Sequence, residues 1–257
     1  MSDASATQRA PFGFRFALIY GALAAVAVVA VVVLVVVVRQ PGPPKPQPWS
    51  SWRPKSGSVA TMTKEIADHV APRYKATKAG DQLVAVIPTA PEITKDTTVT
   101  KVSTIGFRAS ASAGCCNRVI TTGGNVQDQF CGIGPECAIP SGKLAAARER
   151  LVRREALEVA LYTFKYVPGV KAVIAYLPPP SGSNPTTLLY LERSNLSKQL
   201  SSPLSKTLPL DPPPLPTQSD KKEQETIDRL TVPVEYGFEF QALPDKTEAI
   251  VLTPSST

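Results

Sequence analysis

The sequence has a single histidine, His69, and lacks the motifs that mount the commonest catalytic chemistries. Without a second histidine there is no HExxH zinc helix, and no Glu-x-x-His repeat to hold a di-iron pair. No serine stands in GxSxG, which excludes the nucleophile elbow of an α/β-hydrolase, and no glycine-rich loop precedes Lys-Ser or Lys-Thr, which excludes a P-loop. Four cysteines occur but no CxxC, so the common redox motif and the two-residue bite of a structural zinc site are both missing. Zinc-finger spacing, arginine-rich tracts alternating with aromatics and a recognition-helix signature are also missing. Nucleic acid is therefore not an expected partner, although the net charge is +7.

A further absence is positive evidence. From Phe16 to Val38 there is no charged residue, and the run is rich in alanine and valine. At about 1.5 Å per residue, a helix of that length crosses the roughly 30 Å hydrocarbon core and satisfies its own backbone groups there. A cleavable signal peptide has a shorter apolar core and a small-x-small cleavage site. Val35-Val36-Val37-Val38-Arg39 offers none, so residues 16–38 are expected to be an uncleaved transmembrane helix.

Its flanking charges conflict. Arg9, Arg15 and the amino terminus precede the span, while Arg39, Lys45, Arg53 and Lys55 follow it, and the side-chain count alone would leave the large C-terminal part in the cytoplasm. The short tail of residues 1–15 has the form of the cytosolic end of a signal anchor, and cysteines that pair need an oxidising compartment. The expected arrangement is a single-pass cell-membrane protein with residues 1–15 as a cytoplasmic tail and the C-terminal domain outside.

Residues 39–58 read as a linker. Gln40 to Ser58 holds six prolines and two tryptophans, and Pro41, Pro43, Pro44, Pro46 and Pro48 favour an extended polyproline spacer. Trp49 and Trp52 are expected to pack on the following domain. Residues 59–257 are enough for one soluble core. Removing Arg9, Arg15 and Asp3 from the totals of 28 basic and 21 acidic residues leaves 26 and 20, a net of +6. Such a surface suits anionic lipid or a cell-wall polymer.

The expected fold is α+β: a mainly antiparallel sheet with helices on one face and one long central helix. Val59, Met62, Ile66 and Val70 recur at helical spacing, and Pro72 should end that helix. Leu83 to Ile87 reads as a central strand, Val99 to Phe107 as a half-buried one, and Ala172 to Leu177 with Thr186 to Leu191 as a pair. Val232, Val234, Tyr236, Phe238 and Phe240 share one face of another strand, with Ala249 to Leu252 as its hairpin partner. Helix followed by paired strands begins near Thr61, Ser141 and Asp220. The proline-rich stretch from Leu204 to Ser219 reads as a surface loop.

Ser141 is expected to cap the long helix, which runs from about Gly142 to Tyr166 and ends at Pro168-Gly169. Leu144, Ala147, Leu151 and Val152 oppose Glu149, Arg150, Arg153 and Arg154. From Ala156 onward the apolar surface covers most of the circumference, so the helix should pass from the surface into the domain centre. Glu155 and Glu158 lie three apart on one side and are weak candidates for acid/base work or a metal. The simpler reading is ion pairing, for which Glu149–Arg153 and Arg154–Glu158 have the i,i+4 spacing. His69 is a third weak candidate, as a general base, and reads better as a histidine at the core boundary.

Cys115, Cys116, Cys131 and Cys137 are the strongest local signal, read as disulfides that staple an irregular segment. Joining adjacent cysteines is strained, so cross-pairing between Cys115 or Cys116 and the Cys131–Cys137 loop is the expected connectivity. A four-thiolate zinc site and a redox-active pair rank behind it. No metal or other cofactor is expected.

WSSWRP after the spacer, CGIGPECAI and RREALEVALYTFKYVPGV, together with the Ala/Val-rich anchor, resemble an uncharacterised family of actinobacterial single-pass membrane proteins. The resemblance covers most of residues 16–200. It implies a cell-envelope setting and no activity or catalytic residue. The functional expectation is a membrane-anchored envelope module that binds or assembles with an envelope protein or a cell-wall polymer and is not an enzyme. The alternative is an envelope enzyme, either a carboxylate-dependent hydrolase or a thiol oxidoreductase.

Overall fold

The computed structural model describes residues 12–39, 48–89, 92–95, 98–134, 137–139, 145–180 and 183–255. Residues 1–11 of the tail, the spacer prolines Pro41 to Pro46, the expected cap Ser141 and residues 142–144 lie outside the described residues, as do Ser181 and Gly182. The long helix starts at Ala146 after an extended Ala145, later than the expected start near Gly142. The chain divides into two compact units, residues 1–47 and 48–257.

The described residues of the first unit form one helix, α1 (Phe12–Arg39), which starts four residues before the charge-free run. Its Ile19–Val36 stretch has a mean hydropathy of 2.9 and none of it is buried. It is long and apolar enough to span a membrane.

The second unit starts at Pro48, so Trp49 to Ser58, read with the linker, belong to the domain. Helix α2 (Val59–Val70) is capped by Ser58, whose side chain accepts from the Thr61 amide; such a cap contributes about 1 kcal/mol. Met62, Ile66 and Val70 are buried on one face, as their spacing requires. A 3-10 turn over Ala71–Arg73, with Pro72, ends the helix. Strands β1 (Ala85–Thr89), β2 (Glu92–Lys95), β3 (Thr98–Phe107), β4 (Arg118–Thr121) and β5 (Asn125–Cys131) follow. The long helix α3 (Ala146–Tyr166) leads into β6 (Ala172–Tyr176) and β7 (Thr187–Glu192), then the short α4 (Ser197–Ser201). Helix α5 (Lys221–Thr231), capped by Asp220, leads into β8 (Glu235–Ala242) and β9 (Glu248–Pro254). Val232 to Val234, read as the start of that strand, form a 3-10 turn containing Pro233.

The nine strands make one mixed sheet in the order β1-β5-β6-β7-β8-β9-β3-β2, with β4 also on β3. Pairing is antiparallel except for β5–β6 and β3–β9. The β6–β7 and β8–β9 hairpins match the sequence reading. Strand β1, expected at the centre, lies at the end of the order beside β5 alone. Pro88, which has no amide to donate, fits that edge position.

The sheet must be rolled. In a flat sheet β4 and β5 would stand six strand spacings apart, about 29 Å. The link of residues 122–124 reaches at most about 14 Å from Thr121 to Asn125. Phe107 on β3 and Tyr190 on β7 place their ring centroids 5.0 Å apart, although β8 and β9 separate these strands in the order. Rolling gives the sheet two cores. On one face Val126, Phe130, Val173, Leu189 and Leu191 pack with α2, α3 and α5. On the other, Ile105, Phe107, Ile174, Leu188, Tyr190, Ile250 and Leu252 pack against each other. A register shift between Val102 and Thr104 lets Val102 and Ile105 join this same cluster, against a strict period of two.

Candidate functional site

Residues 151–164 of α3 are buried without a break, so the helix does enter the centre of the domain. Arg153 and Arg154, placed by the sequence on its solvent side, are among the buried ones. A buried charge persists only with partners. Arg153 finds Asp228 on α5 at 2.6 Å, Glu149 at 3.1 Å and Glu235 at 3.3 Å.

Arg154 is fully buried and forms the centre of a second network. Its guanidinium donates to Glu158 at 3.1 Å, to Glu223 of α5, to the Tyr74 hydroxyl and to the Pro209 carbonyl at 2.8 Å. Glu158 also accepts from Arg73 at 2.7 Å and from the Tyr74 hydroxyl at 2.5 Å. Arg73 donates in addition to the Leu210 carbonyl. Two guanidiniums and two carboxylates thus close on one another with no net charge. Burial opposes the charge on Arg154, but Tyr74, Glu158 and Glu223 outweigh it and hold its pKa above the ordinary value. Burial likewise pushes the Tyr74 hydroxyl up.

The i,i+4 pairs Glu149–Arg153 and Arg154–Glu158 form as expected. Glu155 and Glu158 have different environments. Glu158 is engaged by three donors, whereas both Glu155 oxygens are buried without a hydrogen-bond partner. Burial first, and the Glu158 charge second, push the Glu155 carboxyl well above the usual carboxylate range. The stretch from Leu204 to Ser219, expected at the surface, helps wall off this network. Leu204 and Leu208 are buried, and the backbone of Pro209 and Leu210 binds the two arginines.

His69 lies at the core boundary. Its ring stacks on Trp52 with centroids 3.9 Å apart and meets the edge of Tyr162. Burial and the nearby Arg73 lower its pKa. Trp49 is buried against Tyr162 and Tyr166 and donates to the Gln199 carbonyl at 3.2 Å. Both tryptophans therefore pack on the domain.

The cysteines pair as Cys115–Cys116 and Cys131–Cys137, which corrects the expected cross-pairing. The strands explain it. Cys115 and Cys116 occupy the β3–β4 connection, whereas Cys131 ends β5 and Cys137 returns beside it, with the Gly132 amide donating to the Cys137 carbonyl at 2.8 Å. Among the described residues no cysteine is free, and no three of His, Cys, Asp and Glu gather as metal ligands would.

The sequence reading missed Arg73, Tyr74, Glu223 and Asp128. Asp128 lies on β5 between Val126 and Phe130, so period two aims it at the helix-covered face, and that alternation was the available signal. It is fully buried, neither oxygen has a partner, and burial raises its pKa to about 7. A cleft of about 240 Å³ near the Cys131 loop is lined by Asp81, Arg148 and the apolar Leu83, Val84, Ile139 and Val152. Comparison of the chain with protein-family models, curated proteins and solved structures gave no match.

Proposed function

We propose that the chain is a membrane-anchored binding or assembly module of the cell envelope, with α1 in the bilayer and the domain on the extracytoplasmic side. The observation that carries this reading is the coexistence of an apolar helix, uncharged and unburied from Ile19 to Val36, with a domain whose described cysteines are all paired. Paired thiols persist in oxidising compartments. The resemblance to actinobacterial single-pass membrane proteins supports the same setting. Glu158 is engaged by Arg73, Tyr74 and Arg154, and Glu155 is sealed from solvent, so these carboxylates fit a structural role better than hydrolysis. The partner is an envelope protein or an anionic cell-wall polymer, consistent with the net basic charge of the domain.

The reading is tested by cross-linking intact cells, solubilising the membranes gently and recovering the full chain. A discrete complex that survives Glu155→Gln is expected. Recovery of the chain alone, together with a hydrolytic activity lost in Glu155→Gln despite retained folding, would replace the binding reading with the enzyme one.

A further inference from the structure

Each disulfide has one half-buried cysteine with a positive φ, Cys116 at 95° and Cys137 at 61°, and the two pairs differ in the other member, exposed in Cys115 and buried in Cys131. Cys131 is buried, and the loop it closes with Cys137 is held by backbone bonds from Gly132 to Cys137, from Gly134 to Ala138 and from Ile139 to Pro179. Cys115 is exposed in a connection built from Ala109, Ser110, Ala111, Ser112, Ala113 and Gly114, whose side chains are small. Its neighbour Cys116 is half-buried and holds φ at 95°, a left-handed conformation that a non-glycine residue adopts only when its surroundings impose it. The Cys116 sulfur sits over Gly106 of β3, where an added Cβ would stand 2.5 Å from it. Cys115 is thus the exposed member of the pair, while the Cys116 sulfur is seated in a glycine notch.

We propose that Cys115–Cys116 is a thiol–disulfide exchange site for an external dithiol, and that Cys131–Cys137 is a permanent staple. This goes beyond the anchored-module reading and does not depend on the side of the membrane. The attacking thiolate bonds to the sulfur of the exposed residue Cys115 as the Cys115–Cys116 bond breaks. The electron pair leaves on Cys116, which takes a proton from water. The second thiol of the reductant then attacks the mixed disulfide and releases Cys115 as a thiolate, which is protonated in turn. The protein gains two electrons and two protons, and the dithiol becomes a cyclic disulfide. Reduction also removes the ring that constrains Cys116, so it frees the β3–β4 connection.

Trypsin separates the two pairs, because Arg108, Arg118 and Lys143 place Cys115–Cys116 in the 109–118 peptide and Cys131–Cys137 in the 119–143 peptide. The native full-length chain in detergent is titrated with dithiothreitol, quenched with N-ethylmaleimide and mapped by mass spectrometry. The 109–118 peptide is expected to gain two alkyl groups at a dithiothreitol concentration at least about tenfold below that needed for the 119–143 peptide. Gly106→Ala, which crowds the Cys116 sulfur, should alter the midpoint of the first peptide and leave the second unchanged. Reduction of both pairs together, earlier reduction of Cys131–Cys137, or a disulfide linking the two peptides would overturn the proposal.

Discussion

Arg154 and Glu158 stand one turn apart on α3 and meet at 3.1 Å where neither side chain reaches solvent. An isolated i,i+4 pair on a helix surface contributes only about 0.3–0.5 kcal/mol. Here each partner is also held by other groups, and removal of one strands the rest. Arg154→Met leaves the Glu158 and Glu223 carboxylates buried without their shared cation and is expected to cost about 3–5 kcal/mol. Glu155→Met removes a carboxyl whose oxygens have no hydrogen-bond partner, and should be neutral or stabilising by about 1–2 kcal/mol. Denaturant unfolding of the full chain in detergent separates the two residues. Equal destabilisation by both substitutions would mean that Glu155 carries charge in the network.

Asp128 makes stability depend on pH in an uncommon direction. Burial raises its pKa from 3.8 to about 7, so between those values the folded state holds the proton more tightly than the unfolded chain. Its contribution is most favourable below pH 4, declines through the window and levels off above pH 7, a total change of about 4 kcal/mol. Asp128→Asn should match the parent near pH 4 and exceed it by up to that amount at pH 8. His69 acts oppositely. Its pKa is lowered from 6.5 by burial and by Arg73, so its contribution is present above pH 6.5 and is lost as pH falls below that. His69→Gln should therefore flatten the loss of stability on acidification. Melting curves of both variants from pH 4 to 8 check the two signs.

The Cys131–Cys137 loop depends on a glycine. A Cβ at Gly132 would stand 2.3 Å from the Ala138 carbonyl oxygen, a backbone atom that cannot swing aside. Gly132→Ala is expected to cost about 1–3 kcal/mol. Replacing both Cys131 and Cys137 with serine should cost about 2 kcal/mol, since a loop this short removes little chain entropy. Thermal unfolding of the oxidised chain tests both. An unchanged midpoint in Gly132→Ala would show that the loop takes a different path.

The sequence made the local elements legible and hid their long-range partners. The period of Met62, Ile66 and Val70 with Pro72 after it located α2, and the alternation from Tyr236 to Phe240 located β8, because these patterns depend on neighbours in the chain. The place of β1 at the sheet edge and the rolling of the sheet depend on residues far apart, such as Phe107 and Tyr190, and no local period encodes them. Arg153 and Arg154 looked solvent-facing because their partners Asp228 and Glu223 lie on α5, about seventy residues away. The pairing of Cys115 with Cys116 was misjudged because joining adjacent cysteines reads as too strained to form.

The central claim, a domain anchored by α1 on the oxidising side of the membrane, is tested most directly at Ser56, which is exposed at the start of the domain. Ser56→Cys is introduced into the full chain and intact cells are treated with a membrane-impermeant maleimide, with the parent chain as the control for native cysteines. The account predicts labelling of Ser56→Cys in intact cells and none in the parent. Protection in intact cells, with labelling only after permeabilisation, would contradict it.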